Sequence, residues 1–160
     1  MQKALAGKKI AILAANGFEQ DDVVAVQRAL LAAGTMPVNI SPEQGVLTSW
    51  NGSAWGHCFT IDARVGEILS VDYDMLVIPG GLRHIPRLLA SLHTERIVSG
   101  FAEAQKPIVV FGEGQQVLVA CQCQDSPNII QQAQDEDRAG FITRMMELFI
   151  GRDMTTRKAA

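Results

Sequence analysis

The sequence predicts an α/β fold in which helices cover both faces of a mostly parallel sheet. Three observations carry this reading. Short, nearly continuous apolar runs alternate with helical patterns, as strands buried on two faces require. Three of those runs end in turn-forming segments, "ANGFEQ", "PGGLRH" and "GEGQQ". The chain has 160 residues, 48% of them hydrophobic, enough for one domain around one sizeable core.

"KKIAILA", Lys8 to Ala14, is an apolar run behind two lysines and reads as the first strand. "DDVVAVQRALLAAG" follows with apolar positions at helical spacing and a closing Gly34. "PVNIS" reads as a second strand. Asn51-Gly52, between "LTSW" and "SAW", signals a two-residue hairpin and a small antiparallel excursion. Trp50 and Trp55 flank that turn, where an aromatic either anchors a partner subunit or covers the sheet.

"DMLVIPGG", Asp74 to Gly81, is the central strand with its turn. A helical stretch from about residue 85 to 105, broken near His93-Thr94, leads to the strand "KPIVVF". Beyond Gln122 the periodicity lapses, and "NIIQ" reads as one short edge strand. "DRAGFITRMMELFIG" is a final amphipathic helix, with Phe141, Ile142, Met145, Met146, Leu148 and Phe149 largely on one side. The expected domain is residues 1–151, followed by a polar, frayed tail at 152–160.

The net charge is −3 with the charges interspersed, so no basic stripe suggests nucleic acid as a partner. The longest apolar runs are far shorter than a membrane span, and "MQKALAGKKI" lacks the hydrophobic region of a signal peptide. The cytoplasm is the default location. Cys58, Cys121 and Cys123 form no disulfide framework, and no second C-x-x-C or H-x-x-x-H completes a zinc set. No metal and no cofactor are expected, and Cys121 reads as a small apolar residue on or at the end of a helix.

Ligands of parallel sheets sit beyond the carboxyl ends of the strands, where the three turn segments converge. "VVFGEGQQVL", Val109 to Leu118, has the strand-to-helix elbow that holds a nucleophile in many enzymes, but Gly112 and Glu113 offer neither thiol nor hydroxyl. Backbone N–H groups of the elbow, with Gly80 and Gly81, form a candidate anion cradle. Gly80, Gly81, His84 and Gly114 are the candidate ligand contacts, with Arg83 and Arg87 as partners for an anion. His84 reads otherwise as part of a solvated loop at a helix start.

Together, "KKIAILAANGFEQDD", "YDMLVIPGG" and "KPIVVFGEGQQVL" resemble the ThiJ/PfpI superfamily over about residues 7 to 120. The resemblance implies a three-layer sandwich with a flavodoxin-like sheet, the class I glutamine amidotransferase-like fold, and a dimer. In active members the elbow carries a cysteine, usually followed by His-Gly, and a glutamate after the first strand hydrogen-bonds to the thiol. Glu19 falls on that glutamate, whereas Gly112, Glu113 and Gly114 fall on the Cys-His-Gly positions. The nucleophile is missing. Within the superfamily the chain most resembles the C-terminal domain of large-subunit catalases, which also has a Gly-Glu-Gly elbow without cysteine. The haem-binding catalase body has no counterpart here, and no haem ligand is inferred from His57, His84 or His93.

Glu19, Gly112 and Glu113 thus mark a vestigial site. A first-turn carboxylate such as Glu113 reads as an internal helix cap, or as filling the place of an oxyanion. Glu19 beside it is a candidate for a raised pKa and a shared proton. The sequence leads to a non-catalytic domain acting by self-association, partner stabilisation or chaperone-like binding of a protein client. Its rivals are a hydrolase, glyoxalase or protein-repair enzyme using Glu19, Glu113 and His84, and a sensor of a small anionic ligand.

Overall fold

The computed structural model describes the backbone of residues 5–159 and the side chains of residues 5–153. Six parallel strands form the sheet: β1 (Lys9–Leu13), β2 (Met36–Ser41), β5 (Ala63–Arg64), β6 (Met75–Ile78), β7 (Ile108–Val110) and β8 (Ile129–Gln131). Their spatial order is β5-β2-β1-β6-β7-β8. Two further strands, β3 (Val46–Trp50) and β4 (Trp55–Thr60), form an antiparallel hairpin outside the sheet.

Alternation along each strand divides the core in two. Ile10 and Ile12 of β1, Met75 and Val77 of β6, and Val109 of β7 join one cluster; Ala11, Leu13, Leu76, Ile78, Ile108 and Val110 join the other. The first face is covered by α1 (Gln20–Ala32) through Val23, Val26 and Leu30, and by α5 (Arg138–Ala159) through Phe141, Ile142, Met145 and Phe149. The second is covered by α2 (Ile85–Leu89), α3 (Leu92–Glu103) and α4 (Gln115–Ala120). The predicted three-layer α/β sandwich and its flavodoxin-like sheet are therefore present.

Several boundaries differ from the sequence reading. The hairpin loop has four residues, because the Asn51 carboxamide accepts from the N–H groups of Ser53 and Ala54 at 3.1 and 2.9 Å and closes a wider turn. The break between α2 and α3 falls at Ala90-Ser91, where the Ser91 hydroxyl caps α3 by accepting from His93 N–H. The short strand β5 had no periodic signal. Leu148 is half exposed, whereas Phe141, Ile142, Met145 and Phe149 pack inward. Helix α5 continues to Ala159 through the stretch expected as a tail, and Asp153, buried there, pairs with Lys8 Nζ at 2.9 Å.

The order β2-β1-β6 has a functional consequence. The chain leaves β1 toward β2 and returns to add β6 on the other side, so the loops after β1 and β6 diverge and open a crevice between them. The hairpin braces that loop: Gly17 N–H donates to Thr48 O at 2.9 Å, and Trp50 N–H to Phe18 O at 2.8 Å.

Helix α5 is held to the sheet by Phe141, whose ring meets Phe111 edge-on at 4.8 Å with both residues fully buried. Phe141→Ala should destabilise the fold by about 3–5 kcal/mol, the usual cost of deleting a buried aromatic. Urea unfolding followed by circular dichroism measures it; a loss below about 1 kcal/mol would mean that α5 does not depend on this contact.

Candidate functional site

Two loops meet at the crevice and are stitched by backbone and imidazole. Glu19 N–H donates to Gly80 O at 2.9 Å. His84 accepts from Ala15 N–H on Nδ1 at 3.3 Å, which leaves the proton on Nε2 to donate to Pro79 O at 2.9 Å. The residue is fully buried, contrary to the solvated-loop reading, and neither ring nitrogen is free for a ligand. Burial pushes its pKa down to about 4, although the Pro79 carbonyl and the Glu113 charge pull upward. The imidazole is neutral at pH 7.

The anion cradle is occupied from within the chain. Gly80 N–H donates to Asp22 Oδ2 and Gly81 N–H to Glu113 Oε2, each at 2.9 Å, while Gly112 N–H donates to the Gln132 carboxamide at 3.1 Å. Glu113 is thus no cap of its own helix, because its carboxylate crosses to the opposite loop and finds a donor there. A Cβ at residue 80 would stand 3.0 Å from Glu113 Oε2 and 3.1 Å from Asp22 Oδ2, so glycine lets both carboxylates close in. Gly114 packs against the carbonyls of Ile78 and Pro79, tight against the end of β6.

Asp22 was read as part of a helix start, yet it is central here. It is buried, and Arg138 Nε at the start of α5 donates to its other oxygen at 2.7 Å. Burial raises its pKa, while Arg138 and the Gly80 N–H oppose the rise. Glu19, half buried, is also held above the ordinary carboxylate range, first by desolvation and next by the Asp22 charge; Arg138 opposes this, and Asp21 and Glu113 add to it. The acidic neighbour that matters most to Glu19 is therefore Asp22 rather than Glu113. No spacing rule links Asp22 to Arg138, which lies 116 positions away.

Gly112 retains the left-handed elbow, with φ of +43°, and a side chain there would meet nothing within 4 Å. The position is exposed beside a cleft of about 600 Å³ whose walls include Gln115, Gln131, Gln132 and Glu136, groups that donate or accept hydrogen bonds. Cys121 is not a reactive thiol: it is buried at the end of α4, and desolvation, then Cys123, pushes its pKa up to about 11. Arg83 stacks on Trp50 at 3.7 Å and Arg87 pairs with Glu43, so both cations proposed for an anion have partners.

This elbow, with the turn after β6 packed against it, is matched by the model of the DJ-1/PfpI family over residues 8–128. The chain belongs to the DJ-1/PfpI family. It is 30% identical to protein DJ-1 homolog D of Arabidopsis thaliana over 128 residues, 72% of this chain and 32% of that one. To protein/nucleic acid deglycase 2 of Escherichia coli it is 28% identical over 116 residues, 71% of this chain and 64% of that one. The chain thus spans less than two thirds of the length of either relative. Toxoplasma gondii DJ-1, in its oxidized form, superposes with a TM-score of 0.78 at 17% identity, covering 94% of this chain and 95% of that one. In this DJ-1/PfpI chain the N–H groups at the strand ends are held by its own side chains.

The buried imidazole sets a pH dependence. A base whose folded pKa is lowered contributes no penalty above its unfolded value, near 6.5, and destabilises the fold as pH falls from there toward about 4. His84→Asn should cost about 1–3 kcal/mol at pH 7 by leaving Ala15 N–H or Pro79 O imperfectly paired. Its urea midpoint should change less than the parent's between those two pH values; equal slopes would refute the assignment.

Proposed function

We propose that this chain is a non-catalytic DJ-1/PfpI domain that works in the cytoplasm by association: as a homodimer, as a stabiliser of a partner chain, or by holding an exposed protein client. The observation that carries this is the filled cradle beside Gly112: no nucleophile stands at the elbow, and Asp22, Glu113 and Gln132 hold the N–H groups that would steady a developing oxyanion. The likeness to the terminal domain of large catalases, which has a cysteine-free elbow of the same kind, points the same way. Exposed apolar side chains near the crevice, Leu82 and Trp55, supply contact area for a partner.

Sedimentation across a wide concentration range should give a dimer, and the protein should suppress aggregation of a heat-denatured client without turning over methylglyoxal or peptides. Gly112→Cys should fold with a strain of about 1–2 kcal/mol and expose a thiol open to alkylation. A monomer at every concentration that protects no client, or clear turnover by the parent chain, would overturn the proposal.

A carboxylate enzyme is the second reading, favoured by the raised pKa of Glu19 in a half-open crevice, where a protonated acid is a proton donor. On this reading turnover disappears in Glu19→Gln. The same substitution should stabilise the fold at neutral pH, because the parent's ionised carboxyl is disfavoured there. That gain should fade as pH falls through the raised value to the ordinary 4.5. Activity untouched by Glu19→Gln would dismiss the carboxylate mechanism.

A further inference from the structure

A second cleft, about 660 Å³, opens at the far side of the sheet's carboxyl edge, between the ends of β2 and β5 and the helices α2 and α3. None of its walls belongs to the elbow or to the turn after β6. Its size suits a small organic ligand.

Its frame is rigid. Glu43 accepts from Arg87 Nε and Nη2 at 2.7 and 2.8 Å and from Asn16 N–H at 3.0 Å, so this ion pair is satisfied within the protein. Arg96 Nη2 donates to Val65 O at 3.1 Å and ties the 3₁₀ turn Val65–Glu67 to α3. A Cβ at Gly66 would stand 3.0 Å from the His93 ring, so the imidazole lies against that turn.

Two charges on this frame are unspent. Arg64 and Glu67 are both exposed in the cleft, and neither forms an ion pair among the described residues. Arg64 ends β5 and Glu67 ends the 3₁₀ turn that follows it, and both line this one cleft. One unpaired cation and one unpaired anion in a single cleft complement a ligand bearing both charges.

We propose that this cleft binds a small zwitterion, an amino acid or a short peptide with free termini, with its carboxylate on Arg64 and its ammonium on Glu67. The full chain would be titrated by calorimetry with a panel of amino acids and with Ala-Ala; whichever class binds identifies the source. The N-acetyl and the carboxamide derivatives of the best ligand should each bind at least about tenfold more weakly, as loss of a charge-assisted contact predicts. Arg64→Gln should abolish the preference over the carboxamide and Glu67→Gln the preference over the N-acetyl form, whereas Gly112→Cys should leave binding unchanged. The last result separates this site from the elbow, so either reading can fail alone. Absence of saturable binding by every zwitterion, equal binding of the singly charged derivatives, or parent-like binding by both variants would overturn the proposal.

Discussion

The crevice depends on the acceptors that Asp22 and Glu113 bring to two consecutive N–H groups, those of Gly80 and Gly81. A buried turn has to satisfy its backbone donors, and no neighbouring strand reaches these two. A buried carboxylate in turn requires a counter-charge or several donors. Asp22 has both, the Gly80 N–H on one oxygen and Arg138 on the other. One interaction therefore joins α1, the end of β6 and the start of α5, and Glu113 extends it to the elbow.

The same network sets the electrostatics of the strand ends. N–H groups that converge at the ends of parallel strands are suited to stabilise negative charge, and in this chain negative charge is already there. A reacting oxyanion would have to displace a carboxylate that is covalently part of the protein and hence present at high effective concentration. The elbow also has an architectural role. The left-handed Gly112 lets β7 turn sharply, and the loop after β1 is held against the hairpin by Gly17 and Trp50. His84 joins that loop to Pro79 from the interior, at a cost to acid stability.

Much of the fold was legible in residue order. "KIAIL", "MLVI" and "IVV" are buried on both faces because every residue after Lys9 is apolar, and that pattern alone required helices on each side. The hairpin was legible from Asn51-Gly52, but its loop length was not, because the Asn51 carboxamide selects a wider turn. Strand β5, two residues long, is too short to have a period. At the site, Glu19, Gly80, Gly81, Gly112 and Glu113 could be read from their places after strands. Asp22, Arg138 and Gln132 could not, since each acts on a partner far away in sequence.

By itself the sequence determined the αβα layering, the position of the crevice at the strand ends and the lack of a nucleophile at residue 112. These follow from local apolar periodicity and from residue identity, which need no knowledge of distant contacts. Only the tertiary structure decided what fills the crevice. Whether Glu113 caps its own helix or crosses to Gly81, and whether His84 faces water or is sealed between two loops, depends on which segments fold against each other. The physical reason is the same in both cases: a polar group takes the donor or acceptor that burial leaves unmatched nearby, and the packing of the whole chain sets that match.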